Sequence, residues 1–462
     1  MNEVLSGLFK MYDIRGIYGQ DLTDNVSLII GKALGTFFLQ NGQKKVFVGR
    51  DNRISGEKVF QNLTKGLLST GCDIVNLGII VTPLIYFSWY DQDANATVMI
   101  TASHNPPEYN GFKCSLNKKP LISEDYQKVK EICFSENFTC GKGKITSLGV
   151  WESYKNKIKS TVKIAKRLKV AIDCGNGTES LFAPQLITEL GCEVIPLFCE
   201  SDGSFPNHQP YPQKIEFYEE LRKTIKEKGC DAGIAFDGDG DRIGFYDENG
   251  NYIENDRLAM LFAQEICQQN PHPKIVMNVS TSLSVIDFIK SCGGEVILWK
   301  TGYPFISEKM QETKALFGGE ISGHFFFKDK YYGFDDALYA AARMLALLSS
   351  SNLKLSQMIS ALPKYFETRE FRVPLPENSD KFILINQIKE ELKQKYPEIQ
   401  IIDLDGVRFS FPDAWGLIRA SNTEPLITGR AEAKSKEKLE KIKGIIEQKL
   451  REKNINFDWN NF

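Results

Sequence analysis

The sequence predicts a multidomain α/β protein: three successive layered α/β units followed by one α+β unit. Three observations carry that reading. At 462 residues the chain is too long for a single hydrophobic core. Short β-branched apolar runs alternate with helix-length amphipathic stretches, and the alternation restarts twice before Pro363. Beyond Pro363 the helices segregate from strands carrying antiparallel turn signals.

The first unit, residues 1–150, opens on Tyr12-Asp13-Ile14-Arg15-Gly16, which reads as an exposed charged turn. Val26, Ile29, Ile30, Ala33, Leu34 and Phe37 recur at helical spacing, and Lys45–Asp51 follows as a buried strand ending in charge. Ser55 caps a helix that runs to Leu68. Cys72–Leu77 and Val98–Ser103 are the next strands. The uncharged stretch Ile74–Tyr90 is punctuated by Gly78 and Pro83, so it divides into strand, turn and short helix and does not span a membrane.

The second unit, 151–252, runs from strand Leu168–Asp173 through the turn Cys174–Thr178, helix Leu181–Leu190 and strand Cys192–Phe198. An irregular Gly203–Pro212, helix Glu216–Lys228, strand Asp231–Phe236 and an Asn249-Gly250 hairpin complete it. In the third unit, 253–365, helix Asp256–Gln268 and the linker Pro271-His272-Pro273 precede strands Lys274–Val279 and Glu295–Trp299. These alternate with helices Ser282–Ser291 and Phe305–Lys314. The last unit, 366–462, has extended residues Thr368–Val373, helix Asp380–Lys395 and strands over Ile399–Phe411 with a hairpin at Asp405-Gly406. Strands within Trp415–Ala433 and a basic helix from Ser435 close it.

Composition excludes several classes. Lys plus Arg at 57 against Asp plus Glu at 59 leaves a net charge of −2, so no global field gathers nucleic acid or anionic lipid. The ten cysteines are scattered without a C-x-x-C spacing, as expected of reduced thiols in a cytoplasmic protein. Met1–Gly16 has no apolar core of a signal peptide.

Four stretches carry chemistry. In Val98–Pro107 an apolar run delivers Ser103 to a strand end, and two prolines forbid continuation as helix or central strand. His104 follows, Tyr109-Asn110-Gly111 reads as a turn, and Lys113 comes next; together they place serine, histidine and lysine on one loop. In Asp237-Gly238-Asp239-Gly240-Asp241-Arg242 the three carboxylates repel one another unless a hard divalent cation neutralises them. An EF-hand calcium loop fails because Arg242 stands where glycine is required, although Glu248 falls at its last ligand position. Catalytic Mg2+ suits the carboxylates better than structural Ca2+. In Gly318–His324, Glu320, Ser322 and His324 occupy alternate positions, which on an extended segment share one face suited to sugar hydroxyls. Arg419-Ala420-Ser421-Asn422-Thr423-Glu424-Pro425 is a cluster of donors fit to cradle a phosphate.

Together these stretches resemble the α-D-phosphohexomutase superfamily, most closely its bacterial phosphomannomutase/phosphoglucomutase group. The resemblance implies three related mixed α/β/α domains and a C-terminal domain like the TATA-binding-protein fold, around a central cleft. It implies reversible phosphoryl transfer between O1 and O6 of a hexose phosphate, mannose and/or glucose, through a phosphoserine and a hexose 1,6-bisphosphate that is both intermediate and activator. Ser103, His104, Lys113 and Arg15 would be catalytic, with Lys113 a candidate acid/base; Ser103, Asp237, Asp239 and Asp241 would hold Mg2+. Tyr12, Arg242, Tyr303, Glu320, Ser322, His324, Arg419, Ser421, Asn422 and Thr423 would bind the phosphosugar. A monomer without nucleic-acid or membrane partners is the expectation.

Two positions depart from the resemblance. Tyr303 stands where dual-specificity members commonly have histidine, and Ser280 where they often have lysine. Glu320-Ile321-Ser322 favours a plain hexose over glucosamine, because phosphoglucosamine mutases usually carry glutamine between the two. The competing readings are a phosphoglucosamine mutase and, in another class, a non-catalytic phosphosugar binder or calcium-stabilised scaffold.

Overall fold

The computed structural model describes residues 2–375, 380–420 and 426–459. It divides into two compact units, Met1–Asn255 with Ser322–Ile359, and Asp256–Ile321 with Ser360–Phe462.

The first unit is built on two sheets. In one, strand Lys45–Arg50 lies parallel to Asp73–Ile79 on one side and to Ala96–Ile100 on the other. Ala96–Ile100 then pairs antiparallel with Tyr109–Leu116, which pairs antiparallel with Ile14–Ile17. Val98, Met99 and Ile100 are wholly buried, as befits a central strand covered on both faces. Helices Asp24–Gln40 and Gly56–Thr70 meet through glycines: a Cβ on Gly31 would lie 2.2 Å from the Leu63 carbonyl oxygen. Ile30, Leu34, Leu63 and Leu67 close over Val46, Val48 and Val98 as one core.

In the other sheet, Lys169–Asp173 is parallel to both Ala232–Phe236 and Glu193–Leu197. Ile243–Tyr246 and Tyr252–Ile253 form the expected hairpin, whose turn is held by the Asp247 carboxylate accepting from the N–H of Asn249 and of Asn251. Both sheets aim the carboxyl ends of their parallel strands at the loops that carry Ser103 and Asp237–Arg242, where open α/β sheets place chemistry.

In the second unit, Lys274–Asn278 is parallel to Glu295–Trp299 and to Phe317–Gly319. The C-terminal sheet is antiparallel throughout, ordered Phe366–Glu367, Leu426–Ala433, Ala414–Ala420, Val407–Phe411, Gln400–Ile402, with Phe371–Pro374 also on Leu426–Ala433. Helices Lys381–Lys395 and Lys436–Glu452 share its core through Ile388, Leu392, Ile446 and Leu450. This is the α+β unit expected after Pro363.

Two expectations are corrected. Tyr12–Gly16 is no free turn, because Ile14–Ile17 is a strand; nor do Tyr109-Asn110-Gly111 turn, since they begin the strand that pairs with it. Gly111 serves close backbone approach, as a Cβ there would sit 2.1 Å from the Ile14 carbonyl oxygen. The structure also has helices Ser123–Ser135, Trp151–Thr161 and Ala337–Ser350, for which the sequence reading gives no expectation. Ala337–Ser350 is buried nearly all round, so it has no polar stripe to reveal a period. Among the described residues no helix is long and apolar enough to cross a membrane.

Candidate active site

Ser103 sits just past strand Ala96–Ile100 with φ of 52°, left-handed backbone that a non-glycine residue adopts only when its surroundings impose it. The Thr101 hydroxyl accepts the Ser103 N–H at 2.9 Å. Arg53, its side chain fully buried and paired with Asp51 at 3.1 Å, donates to the carbonyls of Ser103, Asn105, Pro106 and Tyr109. One guanidinium thus gathers the backbone of the whole loop. Lys113 is not on that loop. It lies in the adjacent strand opposite Met99 and reaches the site from the sheet.

The acidic stretch is a tight turn between strands Ala232–Phe236 and Ile243–Tyr246. Asp237 Oδ1 accepts from the N–H groups of Gly240, Asp241 and Arg242 at 3.0, 3.1 and 3.2 Å, which curls the loop around it. Its Oδ2 accepts from the Ser103 hydroxyl at 2.8 Å. Gly238 permits the approach, since a Cβ there would meet the Ser103 carbonyl oxygen at 2.5 Å. Asp239 is fixed by Thr82, whose hydroxyl donates to Oδ2 at 2.5 Å and whose N–H donates to the Asp239 carbonyl.

Lys113 Nζ bridges Asp239 at 2.7 Å and Asp241 at 2.5 Å. Burial drives the Asp237 carboxyl well above the usual carboxylate range, with Asp241 and Asp239 adding to the shift. Burial also pushes Asp241 up, but Lys113, His324 and Arg242 outweigh it and hold that carboxyl well below the usual range. Three buried acids so close together are stable only with cations among them. Oxygens of Asp237, Asp239 and Asp241 lie within 4.8 Å of one another, and Oδ1 of Asp239 and of Asp241 are buried without hydrogen-bond partners. That all-oxygen donor set fits a hard divalent metal ion. Glu248, the last position of the rejected EF-hand pattern, is instead committed to the N–H and hydroxyl of Ser356.

Arg15 donates to Asn105 Oδ1 at 2.6 Å and to Asp13 at 2.5 Å, so the strand Ile14–Ile17 brings a guanidinium onto the serine loop. Tyr12 lies close enough to Arg15 and Arg242 to act on both electrostatically. His104 Nδ1 is 3.1 Å from the Ser103 hydroxyl; burial, then Arg242, Arg15 and Lys113, hold its imidazole neutral, well below the usual histidine value.

Glu320, Ser322 and His324 do not share an extended face. Strand Phe317–Gly319 ends before them, and Ile321–Gly323 turns with Gly323 at φ of 90°. Ser322 lies in that turn, half-buried. His324 belongs with the acidic loop: its Nε2 accepts from Arg242 Nε at 2.9 Å, which leaves Nδ1 to donate to Asp335 at 2.8 Å.

The second unit assembles its own set. Glu320 Oε1 accepts the Gly302 N–H at 2.8 Å, beside Tyr303, the buried first residue of helix Tyr303–Thr313. Asp405 accepts the Thr301 N–H at 3.3 Å and pairs with Arg419 at 3.1 Å. The loop at 300–304 and the hairpin at Asp405-Gly406 are thereby tied together. Ser280 is buried, and its carbonyl accepts from Arg430 at 3.3 Å. Ser421, Asn422 and Thr423 lie outside the described residues.

The sequence reading missed Arg53, Asp51, Thr82, Asp335 and Glu179. The charged run Arg50-Asp51-Asn52-Arg53 at a strand's carboxyl end is visible in the sequence, but only the pairing of that strand with Ala96–Ile100 puts it on the same edge as Ser103. Glu179 gave no signal. It is wholly buried beside Gly240 with both carboxylate oxygens unpartnered, and burial, then Asp336, Asp237 and Asp239, push its carboxyl well above the usual range.

Comparison with known proteins bears on the whole chain. Four family models match in succession: the phosphoglucomutase/phosphomannomutase α/β/α domain I at residues 6–139, domain II at 151–250, domain III at 254–366 and the C-terminal domain at 370–449. A phosphomannomutase/phosphoglucomutase of Pseudomonas aeruginosa is 41% identical over 446 residues, covering 96% of each chain. A phosphoglucomutase of Neisseria meningitidis is 39% identical over 461 residues, 99% of this chain and 100% of the relative. Among solved structures, a phosphoglucomutase/phosphomannomutase family protein of Burkholderia thailandensis superposes with a TM-score of 0.92 at 34% identity, covering 98% of this chain and 99% of that one.

Proposed function

Because this chain belongs to the phosphoglucomutase/phosphomannomutase family, we propose that it is a hexose-phosphate mutase working through Ser103 and a hexose 1,6-bisphosphate. The observation that carries the reading is the 2.8 Å hydrogen bond from the Ser103 hydroxyl to Asp237, which joins the nucleophile to the acidic loop.

Phosphoryl transfer asks a protein chiefly for alignment and charge stabilisation. The bond from Ser103 Oγ to phosphorus breaks as an O1 or O6 hydroxyl of the sugar bonds to that phosphorus. The bisphosphate turns round, and its other phosphoryl group returns to Ser103. Arg15 and Arg242 supply cationic donors to the moving group. In the first transfer Lys113 gives a proton to the departing Ser103 oxygen while neutral His104 takes the proton of the attacking sugar hydroxyl; when the phosphoryl group returns, Lys113 takes the Ser103 proton back and His104 gives its proton to the departing sugar oxygen. Asp237, Asp239 and Asp241 would hold Mg2+ together with the phosphoserine, and the bound ion supplies charge neutralisation there. Glu320, Tyr303, Ser322 and His324 read the sugar, Arg419, Ser421, Asn422 and Thr423 grip the phosphate that is not reacting, and Tyr12 is also assigned to substrate binding.

We read the chain as four domains at 1–150, 151–252, 253–365 and 366–462, acting as a monomer in the cytoplasm on a plain hexose. Mannose, glucose and glucosamine 1-phosphates assayed side by side with a 1,6-bisphosphate activator test the substrate. Turnover confined to glucosamine would overturn the preference. Intact mass should show one phosphoryl group that Ser103→Ala lacks, and near-parental turnover by Ser103→Ala would refute the covalent role.

A further inference from the structure

We propose that Cys174 and Cys199 are an oxidisable thiol pair whose closure to a disulfide by a peroxide slows the active site. All ten cysteines are free, and these two sulfur atoms lie 3.1 Å apart. Cys174 is wholly buried at the carboxyl end of strand Lys169–Asp173. Cys199 is half-buried, just past the parallel neighbour Glu193–Leu197, where Asp173 stands opposite Leu197. The pair therefore bridges two adjacent strand ends, and the sulfurs need approach by only about 1 Å to reach disulfide length.

The chemistry balances with a peroxide as oxidant. The half-exposed Cys199 thiol is oxidised to a sulfenic acid, reducing hydrogen peroxide to one water. Cys174 sulfur then bonds to Cys199 sulfur, and the hydroxyl leaves as a second water with the Cys174 proton.

The pair is mechanically connected to the site. The Cys174 carbonyl accepts the Gly177 N–H at 2.7 Å, and the next residue, Thr178, donates its N–H to the Gly238 carbonyl at 3.0 Å. Gly238 is the residue pressed beneath Ser103. On the other side, Asn176 donates its N–H to the Phe198 carbonyl at 2.7 Å, and Asn52 holds the Asn176 carbonyl. Asn176 and Phe198 already have φ of 58° and 49°, so the turn has little slack with which to absorb the closure. A displacement of that size at a reacting group costs up to about 100-fold in rate.

The test uses the full chain treated with hydrogen peroxide, one portion assayed for initial rates before and after dithiothreitol and another unfolded in denaturant with iodoacetamide for peptide mapping. The expected result is a Cys174–Cys199 linked peptide, a rate lowered about tenfold and recovery on reduction. Cys199→Ser, which lies outside the catalytic set, should keep its rate through the same treatment. The proposal is overturned if both thiols stay alkylatable, if the link forms without a change of rate, or if Cys199→Ser loses as much. Peptide mapping needs no substrate, so a failure of the mutase reading, visible as no activity before peroxide, is distinguishable from a failure of this one.

Discussion

Replacing Arg53 tests whether the loop presenting Ser103 is held from beneath. Its guanidinium is fully buried, pairs with Asp51 and reaches the carbonyls of Ser103, Asn105, Pro106 and Tyr109. Arg53→Met removes all of those donors and strands Asp51, a carboxylate that burial already pushes above its ordinary value. Breaking a buried ion pair from one side costs about 3–5 kcal/mol, and each buried carbonyl left unpaired adds about 1–3 kcal/mol unless water reaches it. The loss is a large share of the roughly 5–15 kcal/mol that stabilises a domain. Arg53→Lys restores the charge, but one ammonium does not span four carbonyls as a guanidinium fork does. The lysine variant should therefore unfold in urea within about 2 kcal/mol of the parent. Its kcat should fall about 10- to 100-fold while KM moves little, because in the proposed mechanism the misplaced atom is the nucleophile rather than the substrate's grip. Fluorescence-monitored urea unfolding and initial rates measure both. An Arg53→Met protein within about 1 kcal/mol of the parent, together with a fully active Arg53→Lys, would refute the reasoning.

Gly238→Ala should lower stability by about 1–3 kcal/mol and depress turnover, since its Cβ would meet the Ser103 carbonyl oxygen at 2.5 Å. Gly444→Ala, in helix Lys436–Glu452 with open space around the position, should instead raise stability by about 0.5–1 kcal/mol; thermal melts of the two variants check the contrast. Metal chelation should lower the melting temperature as well as activity, because Asp239 and Asp241 are left with buried unpartnered oxygens. An unchanged melt in chelator would contradict the metal assignment. His208 is half-buried against Asp173 and the Gln209 carbonyl, and although burial opposes it, those partners raise its pKa above 6.5. Its stabilisation is therefore full below pH 6.5 and drains away as pH rises through the folded value. Urea midpoints of His208→Gln measured across that window should show a shallower decline than the parent's.

The alternation of strands and helices, the change of architecture after Pro363 and both hairpin turns were legible, because each depends on local periodicity or turn chemistry. Helix Ala337–Ser350 was not, since a helix buried on all sides loses the polar stripe that marks its period. The pairing of Ile14–Ile17 with Tyr109–Leu116 was hidden for a different reason. Gly16 and Gly111 signal a turn and close strand contact with the same letter, and only the partner strand distinguishes them.

For the site, the local motifs determined which residue types could act: a serine lifted out of a strand by prolines, and three acids crowded too closely to stand without a cation. Folding decided the company those residues keep. It joined Ser103 to Asp237, set Lys113 between Asp239 and Asp241, and sent His324 to Arg242 and Asp335. Hydrogen bonds and charge pairs act over a few ångströms of space, whatever the separation along the chain, so no spacing rule could have named Arg53 as the residue that holds the loop.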